Sequence, residues 1–165
     1  MIKRLAIVVP CYNEEEALPD TDKVLNDLMK DLVKRKVVKL NSFILYVNDG
    51  SKDKTWEVIK NAYENSEYVH GLNLAGNKGH QNALLAGLMQ VKDEVDVTIS
   101  IDADLQDDVG VIEEMVEKYY SGCDIVYGVR NDRTSDSGFK KFTAEAFYKL
   151  MNYMGAKTVY NSADF

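Results

Sequence analysis

Cysteine and histidine are scarce: the 165 residues hold two of each, Cys11 and Cys123, His70 and His80. The two cysteines lie far apart with no CxxC spacing, so neither a disulfide framework nor a zinc site is indicated. A reducing cytoplasm suits such a chain. No apolar run approaches the ~18 residues of a membrane span, and the opening MIKRLAIVVPCYNEEE turns polar too early for a secretory signal. Positive charge is also short. Twenty Lys plus Arg face 27 Asp plus Glu, a net of −7; this excludes a general nucleic-acid binder, because neutralising phosphates needs a basic surface. Neither GxGxxG nor a Walker loop occurs, which counts against a nicotinamide dehydrogenase. Internal repeats and low-complexity linkers are likewise missing.

What the chain does have is alternation. LAIVVP (Leu5 to Pro10) reads as a strand, and Val24, Leu25, Leu28, Met29, Leu32 and Val33 recur at helical spacing. FILYVND from Phe43 is a second strand, followed by a helix with Trp56, Ile59 and Tyr63 on one face and Ser51 or Asp53 as its cap. Strands over YVHGLNL, VDVTISI and DIVYGV follow, with helices over Gln81 to Val91 and around Val111, Ile112, Met115, Val116 and Tyr119. A last helix is expected within Phe139 to Met154. Strict strand–helix alternation predicts an α/β, Rossmann-like, mostly parallel sheet with helices on both faces and a ligand crevice beyond the carboxyl ends of its strands. A chain of about 150 residues buries roughly 70% of its unfolded surface, so one domain over 1–165 is expected, cut short at its C-terminal end.

Four polar clusters fall at those strand ends: CYNEEE, NDGSKD, AGNKGHQN and DADLQDD. Any one is explained as a solvated turn; four together point to a site. Asp102 and Asp104 project to the same side if the chain stays extended, and two close carboxylates repel unless a cation lies between them. Oxygen ligands favour Mg²⁺ or Mn²⁺. The other reading is helix-start chemistry, in which acids favour the positive dipole end; it is taken for Asp107 and Asp108. Asp49 is either an acceptor for a nucleobase N–H or a turn residue. Gly76 and Gly79 offer backbone that an anion can approach. His80 reads as a packing or capping residue rather than a base. Arg130, Arg133, Lys140 and Lys141 outnumber Asp132 and Asp136 after the fifth strand, either as solvated surface or as phosphate ligands.

In order, VVPCYNEEEALP, VNDGSKDKT, NLAGNKGHQNALLAGL, SIDADLQDD and DIVYGVRNDR resemble the family 2 glycosyltransferases of the GT-A fold. The resemblance is to the polyprenyl-phosphate branch, which includes dolichol-phosphate mannose synthase and undecaprenyl-phosphate glucosyltransferases. It implies inverting transfer from a nucleoside-diphosphate sugar, a UDP-sugar in preference to GDP-mannose, to a polyprenyl phosphate at the cytoplasmic membrane face. Pro10, Tyr12, Asn13, Glu14 and Asp49 match the nucleoside-binding positions. Asp102 and Asp104 match the metal-binding DxD, with Ala103 between them, Gln106 beside them and Gly79 also on the donor side. Asp164 in NSADF matches the proposed catalytic base and is grouped with Asp104 as catalytic; Arg130 and Arg133 match the acceptor-side basic segment. The chain departs from the family at Asn48, often Asp, and at Gly76, commonly Arg. The family continues past ADF, often into membrane helices, so membrane association is expected of a longer protein; self-association is left open. Transfer to a saccharide, or a nucleotide-sugar-binding domain without turnover, are the alternatives, with a receiver-like phosphorelay domain fitting worse.

Overall fold

The structure is a computed structural model that describes residues 2–106 and 108–128. Contacts divide the chain into two units: Met1–Val126 carries every element below, and Tyr127–Asp164 lies almost wholly outside the described residues.

Four strands and four helices alternate: β1 (Leu5–Cys11), α1 (Leu18–Lys34), β2 (Phe43–Asn48), α2 (Thr55–Asn65), β3 (Val69–Asn73), α3 (His80–Val91), β4 (Val97–Ser100) and α4 (Val111–Tyr120). The sheet order is β3-β2-β1-β4, and every pairing is parallel, with Val8 opposite Leu45 on one side and Ser100 on the other. Parallel strands need crossover connections, and the helices supply them.

Alternation along the strands assigns the faces. Leu5, Ile7 and Val9 of β1, with Ile44 and Tyr46 of β2, pack in one cluster with Leu25, Met29 and Leu32 of α1, Ile59 of α2 and Ile112 of α4. Ala6 and Val8, with Phe43, Leu45 and Val47, pack on the other face with Ala83 and Val91 of α3. Because β1 and β2 are buried on both faces, their sequences are continuous apolar runs, as central parallel strands require.

The expected fifth strand is absent from the described residues. Asp124–Gly128 has no strand pairing, and Ile125 and Tyr127 are 71% and 52% exposed. A β-branched run becomes a strand only where a neighbour takes its backbone hydrogen bonds. Val129 and the helix expected within Phe139 to Met154 lie outside the described residues.

α3 lies close against the sheet through Gly87. A Cβ there would meet Val8 Cγ1 at 2.6 Å and Val47 Cγ2 at 2.7 Å. Gly87→Ala therefore sets a helix-propensity gain of about 1 kcal/mol against overpacking that costs about 1–3 kcal/mol. Net destabilisation in urea unfolding is the expected outcome; a more stable variant would show that the helix shifts freely.

Candidate functional site

The chain runs outward from β1 to β2 to β3 and then returns to place β4 on the opposite side of β1. β4 is thereby the neighbour of β1, and a crevice lies at the carboxyl ends of these strands, where α/β sheets bind ligands. A cleft of about 240 Å³ lies there. Its walls are Pro10, Cys11, Tyr12 and Glu14 after β1, Asp49 after β2, Asn77, His80 and Ala83 around the start of α3, and Asp102, Ala103 and Asp104 after β4.

Much of the polar sequence between these walls holds loops in place. Ser51 Oγ accepts the Asn13 N–H at 3.0 Å, and Asn13 Oδ1 accepts the Lys52 N–H at 2.9 Å. Thr55 Oγ1 accepts the Glu14 N–H at 2.8 Å, Asp53 Oδ2 the Glu15 N–H at 3.1 Å, and Glu15 Oε2 the Lys54 N–H at 2.8 Å. Asn13 has φ 57°, a left-handed conformation that asparagine tolerates better than most residues. CYNEEE and NDGSKDKT thus form one interlocked pair of loops, in which Asn13 positions its neighbours and does not line the cleft. The helix cap expected of Ser51 or Asp53 is not found: Lys54 flanks α2 with no side-chain cap, Ser51 bonds Asn13 instead, and Asp53 Oδ1 accepts from Thr55 N at 3.0 Å in a turn ahead of the helix.

Asp49 is 2% exposed. Its Oδ1 accepts the Lys78 N–H at 2.7 Å and its Oδ2 the Gly79 N–H at 2.9 Å, so the residue anchors the next loop while also lining the cleft. Gly79 does not line the cleft itself; its backbone bonds residues that do, its N–H to Asp49 and to Asn77 Oδ1 at 3.1 Å and its carbonyl to the Ala83 N–H at 3.0 Å. Gly50, at φ 64°, lets the two loops close, since a Cβ there would fall 2.5 Å from the backbone of Gly76 and Asn77.

Ile101 and Ala103 are buried, at 1% and 4% exposure, while Asp102 and Asp104 line the cleft. The expected common side for the two acids is found, but the chain does not stay extended: it turns at Ala103 and Asp104, and Leu105 has φ 53°. Thr21, buried on α1, donates to the Ala103 carbonyl at 2.5 Å and fastens the turn. Gln106 contributes its N–H to Asp104 Oδ1 at 3.1 Å and does not line the cleft. Asp108 does not start α4; its Oδ1 accepts the Gly110 N–H at 2.8 Å, and Glu113 and Glu114 occupy the first turn. Asp107, Arg130, Arg133, Lys140, Lys141 and Asp164 lie outside the described residues.

Among the described residues, the cleft lining holds four carboxylates and neither lysine nor arginine. Partial burial, then the charges of Asp104, Asp53 and Asp102, raise the Glu14 carboxyl above its ordinary value. Burial, with Glu14 adding to it, drives the Cys11 thiol far up, so Cys11 is an inert wall and not a nucleophile. A hard divalent cation fits this lining: the donors are oxygens, two of them stand on one short turn, and like charges gathered so closely favour a cation among them. Among the described residues no group of three His, Cys, Asp or Glu gathers to hold a metal, so such a cation would take part of its shell from a ligand or from water.

Sequence reasoning missed Cys11, Asn77 and Ala83 as lining, and the packing role expected of His80 is not found. His80 is exposed, and its Nε2 lies 3.6 Å from Asp102 Oδ1. The usable signal was the position of Asn77 and His80 inside GNKGHQN, a motif already at a strand end.

This sheet, with its crevice at the switch point, is the GT-A fold of glycosyltransferases. It superposes on mannosyl-3-phosphoglycerate synthase from Rubrobacter xylanophilus with a TM-score of 0.61 at 19% identity, over 90% of this chain and 47% of that one. It also matches the mannosyltransferase PcManGT from Pyrobaculum calidifontis, solved with GDP-Man and Mn²⁺, with a TM-score of 0.60 at 18% identity, over 92% and 39%. The chain belongs to glycosyl transferase family 2, whose model matches residues 6–164. It is 52% identical over 161 residues to the uncharacterized glycosyltransferase YkoT of Bacillus subtilis (strain 168), covering 98% of this chain and 48% of that protein. To the bactoprenol glucosyl transferase of Shigella phage SfV it is 37% identical over 163 residues, covering 98% and 50%. The chain spans about half the length of the curated relatives it matches. Among the described residues no helix is long and apolar enough to cross a membrane.

The interlocked loops yield a pH-dependent expectation. Burial alone would raise the Asp53 carboxyl, but hydrogen bonds from the Thr55 hydroxyl and from the backbone of Thr55, Glu15 and Asp53 itself hold it below its ordinary value of 3.8. A folded-state value below the unfolded one stabilises the fold above that ordinary value, and the contribution fades as pH falls through the folded one. Asp53→Ala is expected to lose about 1–2 kcal/mol at neutral pH. Urea unfolding of both proteins should show that difference shrinking below pH 3.8; a difference constant down to strong acid would contradict the assignment.

Proposed function

We propose that the protein transfers a sugar, with inversion, from a nucleoside-diphosphate sugar to a polyprenyl phosphate at the cytoplasmic face of a membrane, and that a UDP-sugar is preferred to GDP-mannose. One observation carries the reading: Asp102 and Asp104 both line the cleft at the carboxyl ends of β1 and β4, together with Glu14. The acceptor is supported by the 37–39% identity to relatives named bactoprenol glucosyl transferase. The metal is supported by the Mn²⁺ that accompanies GDP-Man in the PcManGT complex and by the donor set of the cleft.

The chemistry is one in-line displacement. An oxygen of the acceptor phosphate forms a bond to the sugar's C1 on the face opposite the diphosphate, while the C1–O bond to the diphosphate breaks and its electron pair leaves with the nucleoside diphosphate. A phosphate acceptor is already anionic near neutral pH, so it needs a general base less than a hydroxyl would. Asp164 accordingly orients the acceptor, and Arg130 and Arg133 bind its phosphate in bidentate fashion. Pro10, Tyr12, Glu14 and Asp49 form the nucleoside side of the cleft. Asp102 and Asp104 would hold Mg²⁺ or Mn²⁺, which supplies Lewis-acid neutralisation of the diphosphate's charge. The walls do the rest by orientation, holding the donor so that C1 faces the acceptor.

Asp104→Asn should weaken Mn²⁺-dependent binding of UDP-glucose about tenfold or more, roughly 1.4 kcal/mol, with the thermal midpoint unchanged, because the residue is exposed. Calorimetry with UDP-glucose and GDP-mannose measures both the loss and the donor preference; unchanged affinity in the variant would sink the metal assignment. Transfer by the intact protein to free saccharides, with none to polyprenyl phosphate, would sink the acceptor assignment.

A further inference from the structure

Among the described residues, His80 is the only side chain lining the cleft that can carry positive charge, beside Glu14, Asp49, Asp102 and Asp104, and the displacement described above leaves it without a task. It does not pack: its side chain is 47% exposed. Nor does its backbone wander. Immediately before it, the Asp49 carboxylate takes the N–H groups of Lys78 and Gly79, and Gly79 at φ 85° turns the chain into α3. Two turns later, Gly87 presses the helix onto Val8 and Val47. The Cα of His80 is thereby fixed relative to β1 and β2, while Asp102 is fixed through the buried Ile101 and Ala103 and the Thr21 hydrogen bond to Ala103. Two independently anchored segments bring His80 Nε2 to 3.6 Å from Asp102 Oδ1.

We propose that His80 is a positioning residue for Asp102. By presenting Nε2–H to Oδ1 it restricts rotation of the carboxylate and keeps Asp102 directed, with Asp104, at one cation. The inference rests on the metal-dependent donor binding proposed above. Hydrogen-bonding partners behind a ligating group raise metal affinity by about 10–100-fold, because they remove orientations in which the ligand points away. The 3.6 Å separation is beyond hydrogen-bond length, so the proposal requires Nε2 and Oδ1 to approach each other when Asp102 and Asp104 hold a cation.

The test compares the intact wild-type protein with His80→Ala and His80→Gln, the second of which keeps an N–H donor on a neutral side chain. Mn²⁺ binding in the presence of UDP is read from the electron paramagnetic resonance signal of free Mn²⁺, and UDP binding in EDTA is read by calorimetry. His80→Ala should weaken Mn²⁺ binding about tenfold, His80→Gln should recover most of it, and UDP affinity in EDTA should be the same in all three. Wild-type Mn²⁺ affinity in His80→Ala would overturn the proposal. So would equal losses in both variants, which would mean that the N–H is not what matters. An equal loss of UDP affinity with and without metal would also overturn it, by assigning His80 to the nucleotide directly. If the wild type itself binds no Mn²⁺ with UDP, the metal-dependent reading fails and takes this one with it; if it does and His80→Ala matches it, this one fails alone.

Discussion

Asp49 gives both of its carboxylate oxygens to the backbone of Lys78 and Gly79, and on that pair of hydrogen bonds the geometry of the cleft depends. A loop beyond a strand end has lost its ladder partners, and its buried N–H groups must find acceptors or cost free energy. Here the acceptors are side chains of the neighbouring loop. Ser51, Asp53 and Thr55 hold the backbone of Asn13, Glu15 and Glu14 in the same way, and Thr21 holds the Ala103 carbonyl from the side of α1. Each wall of the cleft is supported by another segment, so the walls are fixed relative to one another before any ligand arrives.

That arrangement carries an electrostatic burden. Four carboxylates line one cleft with no lysine or arginine among its described walls, and partial burial, reinforced by the charges of Asp104, Asp53 and Asp102, holds the Glu14 carboxyl above its ordinary value. Like charges gathered on rigid supports cannot relax by moving apart, and they favour whatever cation enters. Family 2 membership and the GT-A fold supply the context in which such a cleft acts. An anion entering this lining would meet like charge unless positive charge accompanied it.

The motif residues have double roles, which a reading of each residue singly does not separate. In NDGSKDKT, Ser51, Asp53 and Thr55 hold loops, while Asp49 both anchors the next loop and lines the cleft. In CYNEEE, Tyr12 and Glu14 line the cleft, and the intervening Asn13 adopts a left-handed conformation that directs its amide to Lys52. His80 has the sequence position of a capping residue because it begins a helix; its approach to Asp102 joins residues 22 positions apart and has no local signal. DIVYGV carries strand propensity as strongly as VDVTISI does, yet among the described residues only the second pairs with β1.

Hydrophobic patterning by itself determined the order of the four strands and four helices and the edge on which polar residues collect, because burying apolar surface is a local demand written into each element. It also placed Asp102 and Asp104 together, since two positions apart is a short distance in any backbone. Tertiary structure alone decided that β4 lies beside β1 and not beside β3, that the crevice therefore opens between those two strands, and which polar side chains face it instead of a neighbouring loop. Those outcomes depend on contacts between residues tens of positions apart, whose free energies arise only when the sheet has formed and the loops must satisfy one another's backbone.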